Sequence, residues 1–98
     1  MILSQKQRHF LRGLAHDRKP VVIIGGASLT ENVLLEIDSA LAHHELIKVR
    51  VNADNREARK QMIDEITAKT ASELIQSIGH IACFFRRAEK PVIDLPKN

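Results

Sequence analysis

The 98-residue sequence contains a single cysteine, Cys83, which excludes an internal disulfide and any Cys-x-x-Cys motif. Such sparse cysteine usage is typical of a reducing compartment. The histidines suggest no metal site either, because His43 and His44 are neighbours whose side chains diverge on a helix. We therefore predict no bound metal and no cofactor.

Long apolar runs are also lacking. No stretch approaches the ~20 apolar residues that span a membrane. The N-terminal stretch MILSQKQRHF shows no apolar core followed by a small-residue cleavage site. We expect a soluble, cytoplasmic protein without membrane contact. Its length and its apolar content of 44% predict a single domain over residues 1–98 with one modest core.

Aromatic residues are scarce, since the chain has three phenylalanines and no tryptophan or tyrosine. Phe10 is expected on the buried stripe of the first helix. Phe84 and Phe85 are adjacent in a predicted strand, so their side chains point to opposite faces of the sheet. One of them is expected in the core. The other either stacks on a nucleobase from an open sheet face or packs beneath the C-terminal tail.

Catalytic patterns are missing as well. No spacing indicates a Ser-His-Asp arrangement, and Glu36 and Asp38 lie on a predicted helix without neighbours that would activate them. Cys83 lies within an apolar strand, where an inert thiol is expected. We predict that the protein is not an enzyme.

What the sequence does have is segregated charge, with a net charge of +3. Residues 1–25 and 46–60 are net basic, whereas residues 26–45 contain four carboxylates and no lysine or arginine. Such segregation favours a basic face for a polyanion opposite an acidic face. On charge alone, scattered surface charge is an equal alternative.

Apolar periodicity predicts three helices. Ser4 and Gln7 have the spacing of a capping box, and the first helix that follows has a buried face and a basic face. The second helix covers about residues 29–43, and its N-cap is either Ser28 or Thr30. The third helix begins at a capping box formed by Asp54 and Glu57, and this helix continues to about residue 70.

Four strands are predicted between and after these helices. Val21–Ile24 is a continuous apolar run, which favours a strand buried on both faces or a central strand. Leu46–Val51 alternates, with one apolar and one basic face. Residues 73–85 indicate two strands joined around Gly79 and His80. The order α-β-α-β-α-β-β predicts an α/β fold, a two-layer sandwich around a mixed four-stranded sheet.

The loop Gly25-Gly26-Ala27-Ser28 joins the first strand to the second helix. Small residues allow close approach of backbone to an anion, and a helix N-terminus adds unpaired N–H groups and partial positive charge. The loop is therefore either a phosphate site or an ordinary tight turn. Its spacing matches neither a P-loop nor a dinucleotide-binding fingerprint.

Several stretches in series resemble the CRM domain, the chloroplast RNA splicing and ribosome maturation family, and most closely its stand-alone bacterial YhbY-like branch. They are LSQKQRHFLRGLAH, KPVVIIGGASLTENVLLEI, HHELIKVRV, DNREARKQMI and SIGHIACFFRR. The resemblance implies a fold similar to the C-terminal domain of translation initiation factor 3. It also implies RNA binding without catalysis, and association with precursors of the large ribosomal subunit during assembly.

The family loop reads Gly-x-x-Gly and is likened to the KH-domain loop that clamps the nucleic-acid backbone. Here it begins at Gly25, but Ser28 stands where the second glycine is expected. We predict that backbone N–H groups of this loop contact an RNA phosphate and that basic side chains flank it. The predicted RNA-binding residues are Gly25, Gly26, Ala27, Ser28, Lys6, Arg8, Arg12, Lys19, Lys48, Arg50, Arg56, Lys60 and Arg86.

The expected partner is ribosomal RNA of the precursor large subunit rather than DNA, and the protein is expected to be a monomer. A protein–protein adaptor is the alternative: the acidic helix over residues 31–45 would dock on a ribosomal protein or assembly enzyme. A small enzyme with a phosphate-bearing ligand is a third reading.

Overall fold

The computed structural model describes residues 2–25 and 29–97. The elements are α1 (Gln5–His16), β1 (Pro20–Ile24), α2 (Glu31–His44), β2 (Leu46–Val51), α3 (Arg56–Thr70), β3 (Glu73–Ile78) and β4 (Ile81–Phe85). The strands form one sheet in the order β1-β2-β4-β3, with β1 parallel to β2 and the other pairs antiparallel. The predicted element order and mixed four-stranded sheet are confirmed.

Apolar side chains pack on both faces of this sheet. On β2, Ile47, Val49 and Val51 belong to the cluster that also includes residues of α2 and α3. Leu46 belongs to a second cluster, built from α1, part of the sheet and the C-terminal segment. Lys48 and Arg50 share the Leu46 face by alternation, as the pattern of β2 predicted.

β1 is an edge strand with one exposed face, so both predictions for this run, a strand buried on both faces and a central strand, were wrong. Val22 and Ile24 are buried, but Val21 and Ile23 are 46% and 65% exposed. β1 pairs only with β2, and its second face carries no covering helix in the described part of the chain. A run of apolar residues cannot reveal whether a distant segment covers its outer face.

The phenylalanines also differ from expectation. Phe84 and Phe85 are both buried, at 0% and 2% exposure, so neither is available to stack on a base. Phe85 packs in the cluster that contains Ile93, as the alternative of packing beneath the tail predicted. Phe10 is 38% exposed, because Leu11 and Ala15 are the buried residues of α1.

Helix caps agree in part with the predictions. At α1, the Ser4 hydroxyl accepts from the Gln7 N–H at 3.1 Å, and the Gln7 side chain accepts from the Ser4 N–H at 3.0 Å. Thr30, one of two candidates, caps α2. Asn55 rather than Asp54 caps α3, because its amide oxygen reaches the Ala58 N–H at 2.8 Å.

Candidate nucleic-acid interface

One end of the sheet brings together segments that are distant in sequence. Because β1 and β2 are parallel, their C-terminal ends adjoin, and the Asn52 N–H donates to the Ile24 carbonyl at 3.0 Å. The Val51 N–H donates to the His80 carbonyl at 2.7 Å, which joins the β3–β4 turn to the same end. We call this region, with Gly25, Asn52 and His80 at its centre, the loop end.

Gly25 is exposed at the loop end, directly after β1. A Cβ added to it would meet no atom within 4 Å, so packing does not require a glycine at this position. The absence of a side chain leaves its backbone accessible to a ligand. Gly26, Ala27 and Ser28 lie outside the described residues, and their predicted clamp of a phosphate stays a prediction.

Several basic side chains surround the loop end. Arg50 Nε donates to Asn52 Oδ1 at 3.2 Å, which holds its guanidinium beside the β2 terminus. Arg56 and Lys60 lie near the start of α3, with Lys60 exposed as predicted. Arg59 lies between them, and its Nη1 is 3.4 Å from His80 Nδ1. The spacing of Arg56 and Arg59 by three residues was the helical signal that could have added Arg59 to the predicted site.

The α1 side contributes a second group of cations. Lys6 is exposed and Arg12 is half-buried on α1, and Lys19 is exposed just before β1. Lys48 Nζ donates to the His16 carbonyl at 3.2 Å, so this lysine also stabilises the C-terminal end of α1.

Arg8, predicted to face RNA, is engaged with β3. Its Nη2 lies 3.1 Å from Glu73 Oε2, and its Nη1 donates to the Leu74 carbonyl at 3.2 Å. These contacts attach α1 to the sheet, because an arginine fork satisfies both a carboxylate and a carbonyl. We therefore assign Arg8 chiefly to the fold.

Arg86 lies at the opposite end of the sheet from Gly25. It follows Phe85, which is opposite Leu46 at the start of β2. Its guanidinium forms an ion pair with Asp38 on α2 and donates to the Thr70 carbonyl at 2.9 Å. Arg86 therefore links the two helices that pack on the same face, and the structure does not bring it near Gly25.

Glu45, expected on an acidic surface, is a buried carboxylate. It has 0% exposure and accepts from the backbone N–H groups of Ala88, Val92 and Ile93 at 2.7, 2.8 and 2.6 Å. Burial by itself raises the pKa of Glu45, but these donors together with Arg87 outweigh it and hold the pKa below its ordinary value. Glu45 thus fastens the C-terminal segment to the end of α2.

This arrangement argues against the adaptor hypothesis for residues 31–45. Glu45 is buried and Asp38 is paired with Arg86, so Glu31 and Glu36 are the exposed carboxylates of this segment that form no ion pair with any described residue. Two separate charges give a weak surface for a basic partner.

The described residues, 2–25 and 29–97, contain no candidate metal centre. Within these ranges no cluster of at least three His, Cys, Asp or Glu side chains is arranged to hold a metal ion. The helices described there are too short or too polar to cross a membrane.

Fold and surface together define an α/β protein with basic side chains around the exposed Gly25 that follows β1. Residues 3–86 match the CRS1 / YhbY (CRM) domain, and the chain belongs to this family. The resemblance stated from sequence is confirmed.

The similar proteins support the same assignment. The chain is 50% identical over 96 residues to a Haemophilus influenzae protein named RNA-binding protein, with 98% of this chain and 97% of the relative covered. A Pseudomonas aeruginosa protein named as a probable RNA-binding protein is 42% identical over 91 residues, covering 93% and 88%. The solution structure of a Staphylococcus aureus protein, described as a candidate RNA-binding protein, matches with a TM-score of 0.84 and 36% identity, over 97% of this chain and 100% of that one.

Proposed function

We propose that this protein binds RNA, that its target is ribosomal RNA of the precursor large subunit, and that it assists assembly of that subunit. The observation that carries the proposal is family membership over residues 3–86, with relatives named as RNA-binding proteins. In this proposal the chain acts as one domain over residues 1–98, as a cytoplasmic monomer, and without catalysis.

The proposed contacts are mainly to phosphates. Backbone N–H groups of residues 25–28 hold the RNA backbone, and Arg50 and Arg56 add phosphate contacts at the loop end. Lys6 and Arg12 extend the contact along α1, and the exposure of Lys6 and the partial exposure of Arg12 support this role. Contacts of this kind supply affinity and orientation but read little sequence, so selectivity comes from RNA shape and unpaired bases.

Charge reversal tests this function. K6E/R12E and R50E/R56E should each weaken binding to fragments of large-subunit ribosomal RNA by more than about tenfold at ~0.1 M salt, measured by fluorescence anisotropy. K69E is the control, because Lys69 lies near the other end of α3 and pairs with Glu65 at 3.3 Å. Salt-insensitive binding, or a protein absent from precursor large subunits on sucrose gradients, would contradict the proposal.

A further inference from the structure

A cleft of about 380 Å³ lies between the start of α3 and the β3–β4 hairpin. Its apolar floor includes Ile63, which is 5% exposed, and the half-buried Leu74. Ser77 and Gly79 line it on the hairpin side. We propose that this cleft binds a single nucleotide of an RNA strand, with the base or ribose on the apolar floor and the phosphate at a cationic rim. The inference rests on the proposed RNA-binding function and adds a distinct site to it.

The size of the cleft limits its occupant. Small-molecule sites commonly have volumes of ~300–1,000 Å³, so this cleft lies at the lower end of that range. It fits one nucleotide rather than a stretch of duplex. A base can enter only if it is unstacked, and unpaired loops and bulges provide such bases.

The rim of the cleft is cationic. Arg56, Arg59 and Lys60 line it, and Asp64 is the one carboxylate among the lining residues that the structure describes. Within residues 2–25 and 29–97, carboxylates pair with Arg8, Arg86 and Arg87 but with none of the three rim cations. The rim therefore retains positive charge for a phosphate, and Asp64 offers an acceptor for a ribose hydroxyl or a base amino group.

The position of these cations lowers the stability of α3 locally. Arg56 and Arg59 lie in the first turn of the helix, where the partial positive charge of the helix dipole disfavours cations. Arg56 and Lys60 are also like charges at spacing i, i+4, which is unfavourable on a helix surface. Glu57 in the first turn and Asp64, four residues after Lys60, offset part of this repulsion. Charges that are unfavourable for their own helix, and that packing does not explain, are expected where residues bind a ligand.

Nuclear magnetic resonance on the ¹⁵N-labelled full chain tests the site directly. The probes are adenosine 5′-monophosphate, uridine 5′-monophosphate and inorganic phosphate, each at millimolar concentration. We expect the nucleotides to shift the amide signals of Ile63, Leu74 and Ser77, and inorganic phosphate to shift only those of the rim. Identical patterns for phosphate and nucleotides, or shifts confined to α1, would overturn the proposal. Stronger binding of a glutamate-rich peptide at the cleft would assign it to a protein partner instead.

Blocking the cleft tests its role in RNA binding. Ser77 is exposed in β3, where the bulk of S77W should fill the cleft and weaken binding to an RNA hairpin with an unpaired loop by roughly tenfold. Q61W is the matched control, because Gln61 is exposed on α3 and does not line the cleft. Circular dichroism checks that both variants fold.

If S77W fails to fold, a milder variant of the cationic rim tests whether the cleft contributes to RNA binding. R59Q/K60Q should reduce the slope of log affinity against log salt by about 0.7 for each RNA phosphate that is no longer neutralised, whereas K69Q should leave it unchanged. If S77W or R59Q/K60Q binds like wild type while K6E/R12E does not, the cleft proposal is wrong and the RNA-binding function stands. A wild-type protein that binds no RNA would instead refute the proposed function itself.

Discussion

Replacement of Glu45 should be among the most destabilising single changes in this chain. Its Oε1 accepts from two backbone N–H groups, those of Val92 and Ile93, and its Oε2 accepts from that of Ala88. A hydrogen bond to a charged acceptor contributes ~1.5–3 kcal/mol, and a buried donor left without a partner costs ~1–3 kcal/mol. E45Q keeps one acceptor oxygen, but its side-chain NH2 group then faces a backbone N–H group, so two donors meet without an acceptor. We therefore expect E45Q to lower the free energy of unfolding by about 2–4 kcal/mol, and E45A by more.

Against a total stability of ~5–15 kcal/mol, that loss is large. Far-UV circular dichroism during urea denaturation is the suitable assay, since the chain has no tryptophan or tyrosine for fluorescence. E36Q is the control, because Glu36 is exposed on the same helix and its change should stay within ~0.5 kcal/mol. Equal stability of E45Q and wild type would refute the account of Glu45 as a clamp.

The same residue predicts a pH dependence. Because its pKa in the folded state lies below the ordinary value of 4.5, the Glu45 carboxylate stabilises the fold fully above that pH. The carboxyl group of Glu45 binds a proton more readily in the unfolded chain than in the folded one. Its contribution to stability is therefore lost as the pH falls through the folded-state pKa. Wild type should therefore lose more stability than E45Q on acidification below about pH 4.5. Parallel stability curves for the two proteins would contradict this sign.

Three other changes are expected to alter stability in the same assay. G13A should raise the free energy of unfolding by ~0.5–1 kcal/mol, because Gly13 is exposed within α1 and a Cβ there meets no atom within 4 Å; a loss would mean that the position needs glycine. N55A should cost ~1 kcal/mol by removing the α3 cap, and D54A, its neighbour control, should cost less. F84A should cost ~3–5 kcal/mol through the cavity it leaves, and a cost below ~1 kcal/mol would argue against its place in the core.

Local patterns predicted the elements and their order. The Ser4–Gln7 box, the alternation of β2 and the turn at Gly79 each depend on residues close in sequence. The third helix was placed correctly although Asn55 rather than Asp54 caps it, because adjacent cap-forming residues are hard to rank from sequence.

Long-range contacts account for what the sequence did not predict. The edge position of β1 depends on strand order. The burial of Phe85 depends on the C-terminal segment, whose Ile93 belongs to the same apolar cluster. Glu45 and Arg86 look like surface charges in sequence, yet Glu45 is bound by the Val92 N–H, 47 residues away, and Arg86 by the Asp38 carbonyl, 48 residues away. Long-range contacts also divide the predicted RNA-binding residues into two groups. Arg8 and Arg86 are bound by carboxylates and carbonyls of distant segments, which sequence patterns do not reveal, whereas Lys6 and Lys19 are exposed.

The edge position of β1 has a consequence for how the molecule forms. The β3–β4 hairpin closes a short loop, whereas β1 can pair with β2 only after the chain has made the long crossover through α2. Loop-closure entropy therefore favours the hairpin early and β1 late. A strand with one neighbour is also the easiest to detach, so amide hydrogens of β1 should exchange with solvent faster than those of β2. Gly25 directly follows β1, so the proposed phosphate contact begins on the strand that we expect to pair last and to detach most easily.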